Sequence, residues 1–319
     1  MLIPSQQISG FIRERTFVIW GITKVQHTHG YIHANFFRVL KRNHVDVLWL
    51  EDDVNNIPLI PKGSIILFLE IMANSLTFDS KNYYIGHNSQ KMKEFQDFIM
   101  QYPGHGLNWS FTTKAATGQV DEAGSISKFD AVSTRLFQPY GTPVASKSFA
   151  KPINFGSNEK RIENLIGSVW NNERNEGNSE IIADFAKVLK NRNTKIRRIE
   201  LGKLARFKFS EKLEKKLVRD SIIGASIHSN HQIDIEYLAC RLFKAVSYGR
   251  LPVTNQNAFM NIFEKNFIVS QDMEEMIDSY FFLSQKDKLE MTLQAQQSLN
   301  QYTYEAGLNR LVRALRKEW

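Results

Sequence analysis

The stretch Ser226 to Asn255, SIHSNHQIDIEYLACRLFKAVSYGRLPVTN, limits the possible folds of this chain most sharply. It reads as strand end, polar loop, helix and strand. Ile222 to His228 is apolar over strand length, and Asp234 to Tyr248 shows helical spacing. Gly249 closes the helix, because a residue without Cβ enters the left-handed region past a helix C-terminus. Leu251 to Thr254 is a short, apolar second strand.

The predicted helix is divided. Ile235, Leu238, Ala239, Leu242, Ala245 and Val246 share one face, and Tyr237, Arg241, Lys244 and Tyr248 share the other. Arg241 and Lys244 lie one turn apart. A guanidinium grips phosphate oxygens with a two-pronged fork, and an ammonium supplies a point charge. Two cations flanked by two aromatics suit a diphosphate carrying a base or sugar. The bland alternative is a solvated face.

The alternation recurs along the chain. Phe17 to Ile22 and Val45 to Leu50 read as buried strands around a helix from Tyr31 to Asn43, a βαβ unit that crosses over right-handed. Ser64 to Leu69 and Tyr83 to Ile85 are further strands. Ser89 to Met100 is an amphipathic helix with Ser89 as N-cap. Gly104 to Gly124 is polar and reads as a loop, before strand signals at Phe129 to Val132 and Arg135 to Gln138. Gly141 to Asn158, rich in Gly, Pro and Ser, reads as a linker.

Beyond it the pattern restarts. Ile162 to Val169 and Lys195 to Ile199 are strands around a helix from Ser179 to Asn191. A charged helix, Ser210 to Arg219, leads into the opening stretch. Phe267 to Val269, a helix from Asp272 to Leu283 and a helical tail complete the chain. The expected class is therefore α/β, with two doubly wound Rossmann-like domains facing across a cleft, 1–150 and 151–319. A length of 319 residues suits two domains.

Composition narrows the function. Cys240 is the single cysteine, so no disulfide forms within the chain, and it reads as a small buried hydrophobe. No spacing suggests a metal site, and Asp52-Asp53 is the nearest imitation of a paired carboxylate. A net charge of +8 points to an anionic partner. No run has the length of a signal peptide core or a membrane span, so the expectation is a cytoplasmic protein with peripheral contact to anionic lipid. Arg192 to Arg198, Arg206 and Lys208 form the basic patch. Glu211 to Lys216 alternates in sign and reads as a solvated helix face.

The order of elements around CRLFKAVSYGRLPVTN resembles the donor-binding region of GT-B glycosyltransferases. There a helix of the type RxFEAxAxGxxPV follows the nucleotide-sugar loop. Arg241, Phe243, Lys244, Ala245, Gly249, Pro252 and Val253 hold the matching places. Many retaining members carry two glutamates with seven residues between them. Glu236 holds the first place here, and Lys244 replaces the second acid with a base. Phe17 to Leu50 is also similar to the opening of the family's N-terminal domain. Gly30 stands in its glycine loop and Asn43-His44-Val45-Asp46-Val47-Leu48 in its GHxVxVL strand.

The resemblance implies an acceptor-side N-terminal domain and a C-terminal nucleotide-sugar domain, the last helix crossing back to the first. It implies transfer of a hexosyl or deoxyhexosyl group from a nucleotide diphosphate sugar to a hydroxyl of a glycan or other acceptor. No cofactor and no metal are expected, with Arg241, Lys244 and a helix N-terminus stabilising the leaving group. Gly167, Ser168 and Arg174 would face the donor from the first strand's loop. His228, Ser229, Asp234, Glu236, Tyr237 and Asn255 would complete the donor site. His29 is the first choice for general base and Asp53 the second, both beyond strand C-terminal ends, where His87 also falls. His33 and His44 read as structural. The rivals are a nucleotide-sugar epimerase on the same fold and a basic nucleic-acid-binding protein. No aromatic-basic RNA signature is visible, so no nucleic acid is expected.

Overall fold

The computed structural model describes residues 8–21, 28–110, 129–130, 134–156, 161–167, 169, 171, 177–199 and 211–318. These divide into two compact units, one holding residues 8–110, 129–143 and 304–318, the other residues 144–303.

The first unit is built on a sheet in the order β2-β1-β3-β4-β5-β7-β6. Its strands are β1 (Phe17–Trp20), β2 (Val47–Leu50), β3 (Ile65–Leu69), β4 (Tyr83–His87), β5 (Gly106–Ser110), β6 (Phe129–Asp130) and β7 (Arg135–Phe137). Only β6, paired with β7, runs antiparallel. Phe17 lies level with both Val47 and Ile65, so β1 is central and apolar throughout. Helices cover both faces, which is why β1 and β3 lack polar alternation. One face packs Val18, Trp20, Ile66 and Phe68 against Phe95, Phe98 and Ile99. On the other, Phe36 of the helix Thr28–Arg42 meets Trp109 edge-on, with ring centres 5.6 Å apart. Tyr304, opening the last helix Tyr304–Leu315, stacks on Phe36 at 4.4 Å. Arg42 binds Glu305 of that helix at 2.6 Å.

Two expectations change here. Gly106–Ser110 is a fully buried strand rather than the start of a polar loop. Its Asn108 is acceptable inside because Ser89 and Gln96 satisfy it, at 2.8 to 3.1 Å. Ser89 is thereby engaged by β5, and the next helix starts later, at Lys93–Gln101, with Met92 as N-cap.

The second unit holds β8 (Ile162–Ile166) and β9 (Lys195–Ile199) in parallel, joined through the helix Ser179–Asn191. Asn178, not Ser179, is the N-cap of that helix. Two short parallel strands, β10 (Val253–Thr254) and β11 (Ile268–Val269), lie further along the chain. Exposed Lys195, Arg197 and Arg198 put charge on β9, which blunts a strand edge against mispairing.

The segment expected as a strand, 222–228, is extended chain with one parallel bridge, Ser226 to Thr254. Its N-terminal part is held by side chains. The buried Glu163 carboxylate accepts from the backbone N–H of Ile223 and Gly224, at 2.9 to 3.1 Å. The buried Arg250 guanidinium donates from Nε to the Ile223 carbonyl at 3.1 Å, and from Nη2 to the Ile222 carbonyl. Tyr280 adds a hydroxyl bond of 2.6 Å to the same Ile222 carbonyl. Burial raises the Glu163 carboxyl above its ordinary value, opposed by the Ile223 hydrogen bond and the Arg250 charge.

No helix among the described residues is long and apolar enough to cross a membrane.

Removing one member of a buried, mutually compensating charge set costs about 3–5 kcal/mol. Glu163→Ala is expected to lose that much in urea unfolding. Glu163→Gln, which keeps one acceptor for the segment, is expected to lose less than half of it.

Candidate functional site

The helix predicted from Asp234 to Tyr248 is two helices. Ser229 starts the first, Asn230–Asp234, through a capping box with Gln232. Glu236 then takes the left-handed conformation at φ 52°. The Glu236 N–H reaches the Ile233 carbonyl at 3.0 Å, and the Tyr237 N–H reaches Gln232 at 2.9 Å. These bonds are the two of a Schellman stop, usually built on glycine. With a glutamate in that place, the sequence carries no visible stop signal. The second helix, Cys240–Ser247, follows, and Gly249 ends its C-terminal turn at φ 84° as expected. Tyr237 therefore precedes the helix of Arg241, and Asp234 is an exposed residue on the other helix.

The face expected to be open is partly closed. Lys244 and Tyr248 are buried. The Lys244 ammonium lies 2.8 Å from Glu214, whose other oxygen accepts from the Tyr248 hydroxyl at 3.4 Å. Glu214 belongs to the helix Glu211–Asp220, so the face expected to be solvated supplies a buried carboxylate. The alternating charges hid it, because one acid among neighbouring bases reads as surface.

Arg241 takes a different course. Gly167 follows β8 at φ 134°, and a Cβ there would overlap the Arg241 guanidinium. Glycine therefore opens the space that the guanidinium occupies at the strand's C-terminal end. Among the described residues, Arg241 makes no hydrogen bond or ion pair. Burial lowers it from the ordinary arginine value, while Cys240, Tyr237 and Glu214 oppose the shift.

His228 ends the extended segment of the same unit, 1% exposed. Asn255 holds its backbone from both sides, accepting from His228 N at 2.8 Å and donating to His228 O at 2.9 Å. The ring meets Tyr237 edge-on, with centres 6.2 Å apart. Burial, then the Arg241 charge, lowers the imidazole to about 3. The same charge pulls the Tyr237 phenol down, but burial wins and raises it.

Gly167, His228, Tyr237 and Arg241 are thus brought together where parallel strands of one unit end. Ser229 and Asn255 support them as cap and brace. Glu236 is the helix stop, and Cys240 is half-buried with a free thiol. Ser168 and Arg174 lie outside the described residues, as does His27. His29 stands in the first turn of the helix Thr28–Arg42. Asp53 is exposed and caps the turn Val54–Leu59, accepting from the Asn55 N–H at 2.9 Å. Asp52 accepts from Trp20 Nε1 and from the N–H groups of Asn74 and Ser75, at 2.8 to 2.9 Å. Neither carboxylate is paired for metal binding, and no cluster of potential ligands occurs among the described residues.

The neutral His228 has a stability signature. Its folded value lies near 3 and the ordinary value is 6.5, so the unfolded chain binds the proton first. The contribution is complete above about pH 6.5 and is lost as pH falls toward 3, at up to about 1.4 kcal/mol per pH unit. Urea unfolding between pH 4 and 7 should show a slope shallower by that amount in His228→Asn.

Neither a protein-family model nor a curated protein sequence matches the chain. Among solved structures it is similar to an α-glucosyltransferase in complex with UDP, with a TM-score of 0.57 and 10% identity over 91% of this chain and 96% of that one. A UDP-forming trehalose-phosphate synthase from Burkholderia xenovorans is similar at a TM-score of 0.48 and 10% identity, over 95% of this chain and 98% of that one. The likeness to the α-glucosyltransferase shows the fold, an α/β architecture of the GT-B type.

Proposed function

We propose that this chain transfers a sugar from a nucleotide diphosphate sugar to a hydroxyl of a glycan or other acceptor. One observation carries the reading: the Arg241 guanidinium, without a partner among the described residues, lies over Gly167 at a strand end. In open parallel sheets this is where ligands bind. A guanidinium there matches the diphosphate in charge and in two-pronged geometry. The charge that builds on the departing diphosphate is stabilised by Arg241, already positioned and partly desolvated. The reading assigns that task to the guanidinium rather than to a metal ion.

Lys244 takes a supporting part. Its bond to Glu214 anchors the helix that carries Arg241. The proposed general base for the acceptor hydroxyl is His29, just beyond β1. Asp53 is the second choice, its carboxylate being engaged as a cap. UDP is the first nucleotide to try, because the α-glucosyltransferase of the same fold was solved with it.

A thermal-shift screen with UDP, GDP, ADP, CMP, dTDP and their sugars tests this. A ligand at 100 times its dissociation constant adds about 2.7 kcal/mol. The wild type should shift selectively, and Arg241→Ala should lose the shift while remaining folded. Gly167→Ala should lose binding too, since its Cβ would displace the guanidinium, and should cost about 1–3 kcal/mol in backbone strain. A wild type that responds to no nucleotide overturns the reading.

A further inference from the structure

His228 has one nitrogen engaged and one not. Nδ1 lies 3.2 Å from the Ser226 carbonyl oxygen and 3.3 Å from Thr254 Oγ1. The Thr254 hydroxyl spends its only hydrogen on the same Ser226 oxygen, at 2.7 Å. Both neighbours of Nδ1 therefore present lone pairs, and Nδ1 must carry the ring proton. In the neutral ring that leaves Nε2 as a bare acceptor. Nε2 is fully buried and has no hydrogen-bond partner among the described residues. Phe259 and Tyr237 flank the ring, with ring centres at 5.9 and 6.2 Å, and Asn255 fixes the backbone that carries it.

A buried acceptor without a donor is costly, so such groups are normally completed by a partner. The partner must bring an O–H or N–H and must tolerate the Arg241 charge close by. A cation is excluded by that charge. An anion satisfies Arg241 but offers Nε2 no hydrogen. A molecule carrying both an anionic group and a hydroxyl satisfies the two together.

We propose that His228 is a specificity-determining residue, whose Nε2 accepts a hydrogen bond from one hydroxyl of the donor while Arg241 holds its diphosphate. This rests on the donor reading above and goes further, by requiring a hydroxyl at one defined position. That hydroxyl belongs either to the ribose or to the transferred sugar. Protonation of His228 would abolish the acceptor, and burial beside Arg241 keeps the ring neutral.

The test is calorimetric titration of the whole chain with UDP-glucose and with analogues that each lack one hydroxyl. The 2′- and 3′-deoxyuridine compounds probe the ribose, and the 2-, 3-, 4- and 6-deoxyglucose compounds probe the sugar. Wild type should disfavour one analogue by about 10- to 100-fold, the range for leaving a buried polar group unpaired. His228→Phe should bind UDP-glucose that much more weakly yet bind the deficient analogue as wild type does, so the discrimination disappears at that position alone. His228→Asn, which keeps a donor toward Ser226 but places nothing at Nε2, should behave likewise. It serves as the independent variant if the phenylalanine protein does not fold. Equal weakening toward every analogue, or none, overturns the role of His228 and leaves the donor reading intact. A wild type that binds neither UDP-glucose nor any other nucleotide of the screen overturns the donor reading and this inference together.

Discussion

The second unit depends on a stitch of opposite charges applied to a single piece of backbone. Glu163 takes the N–H groups of Ile223 and Gly224, and Arg250 takes the carbonyls of Ile222 and Ile223. These are the groups that a neighbouring strand would otherwise satisfy. Buried backbone polar groups must be paired somewhere, and here side chains do it. The arrangement holds each charge in place as well, since a buried carboxylate or guanidinium is tolerable only when compensated. Gly224, at φ 73°, gives the chain the turn it needs beside Arg250. Beyond the stitch the chain runs through Ser226 to His228. There Asn255 and the bridge from Ser226 to Thr254 take over the hold on the chain.

Much of this fold is legible in the sequence, and the parts that are not have two causes. Continuous apolar runs such as Phe17 to Trp20 and Ile65 to Leu69 are recognisable because hydrophobic burial leaves the same mark wherever it occurs. Gly249 was readable because its backbone conformation selects glycine. Glu236 occupies the same kind of position without the usual residue, so the helix break it causes left no sign. β5 was missed because Gly106, Asn108 and Ser110 resemble a loop until Ser89 and Gln96, distant in sequence, are seen to satisfy Asn108. Glu214 and Glu163 were invisible as interior residues for the same reason. A charge is read as surface unless its partner is known, and their partners lie 30 and 60 or more residues away.

Within the candidate site, helical spacing names the motif residues, but how they pack needs three dimensions. Helical spacing put Arg241 and Lys244 together and suggested one task for both. Packing separates them, because Lys244 turns toward Glu214 while Arg241 is drawn to the place that Gly167 leaves free. Buried Arg250 and Lys244 and half-buried Arg241 fall into two kinds. Arg250 and Lys244 are spent on the protein itself, where losing a partner would strand a charge in the interior. Arg241 is held close to structure without being consumed by it.

That difference explains why a neutral histidine belongs beside it. A protonated His228 would set a second positive charge against that of Arg241. The ring would then repel Arg241. A carboxylate in place of His228 would bind Arg241 directly and leave nothing for an anionic ligand. An apolar side chain would keep the guanidinium free but could recognise no hydroxyl. Imidazole, with its proton fixed on Nδ1 by two acceptors, leaves the cation unneutralised and still presents a lone pair. It meets both conditions without carrying charge.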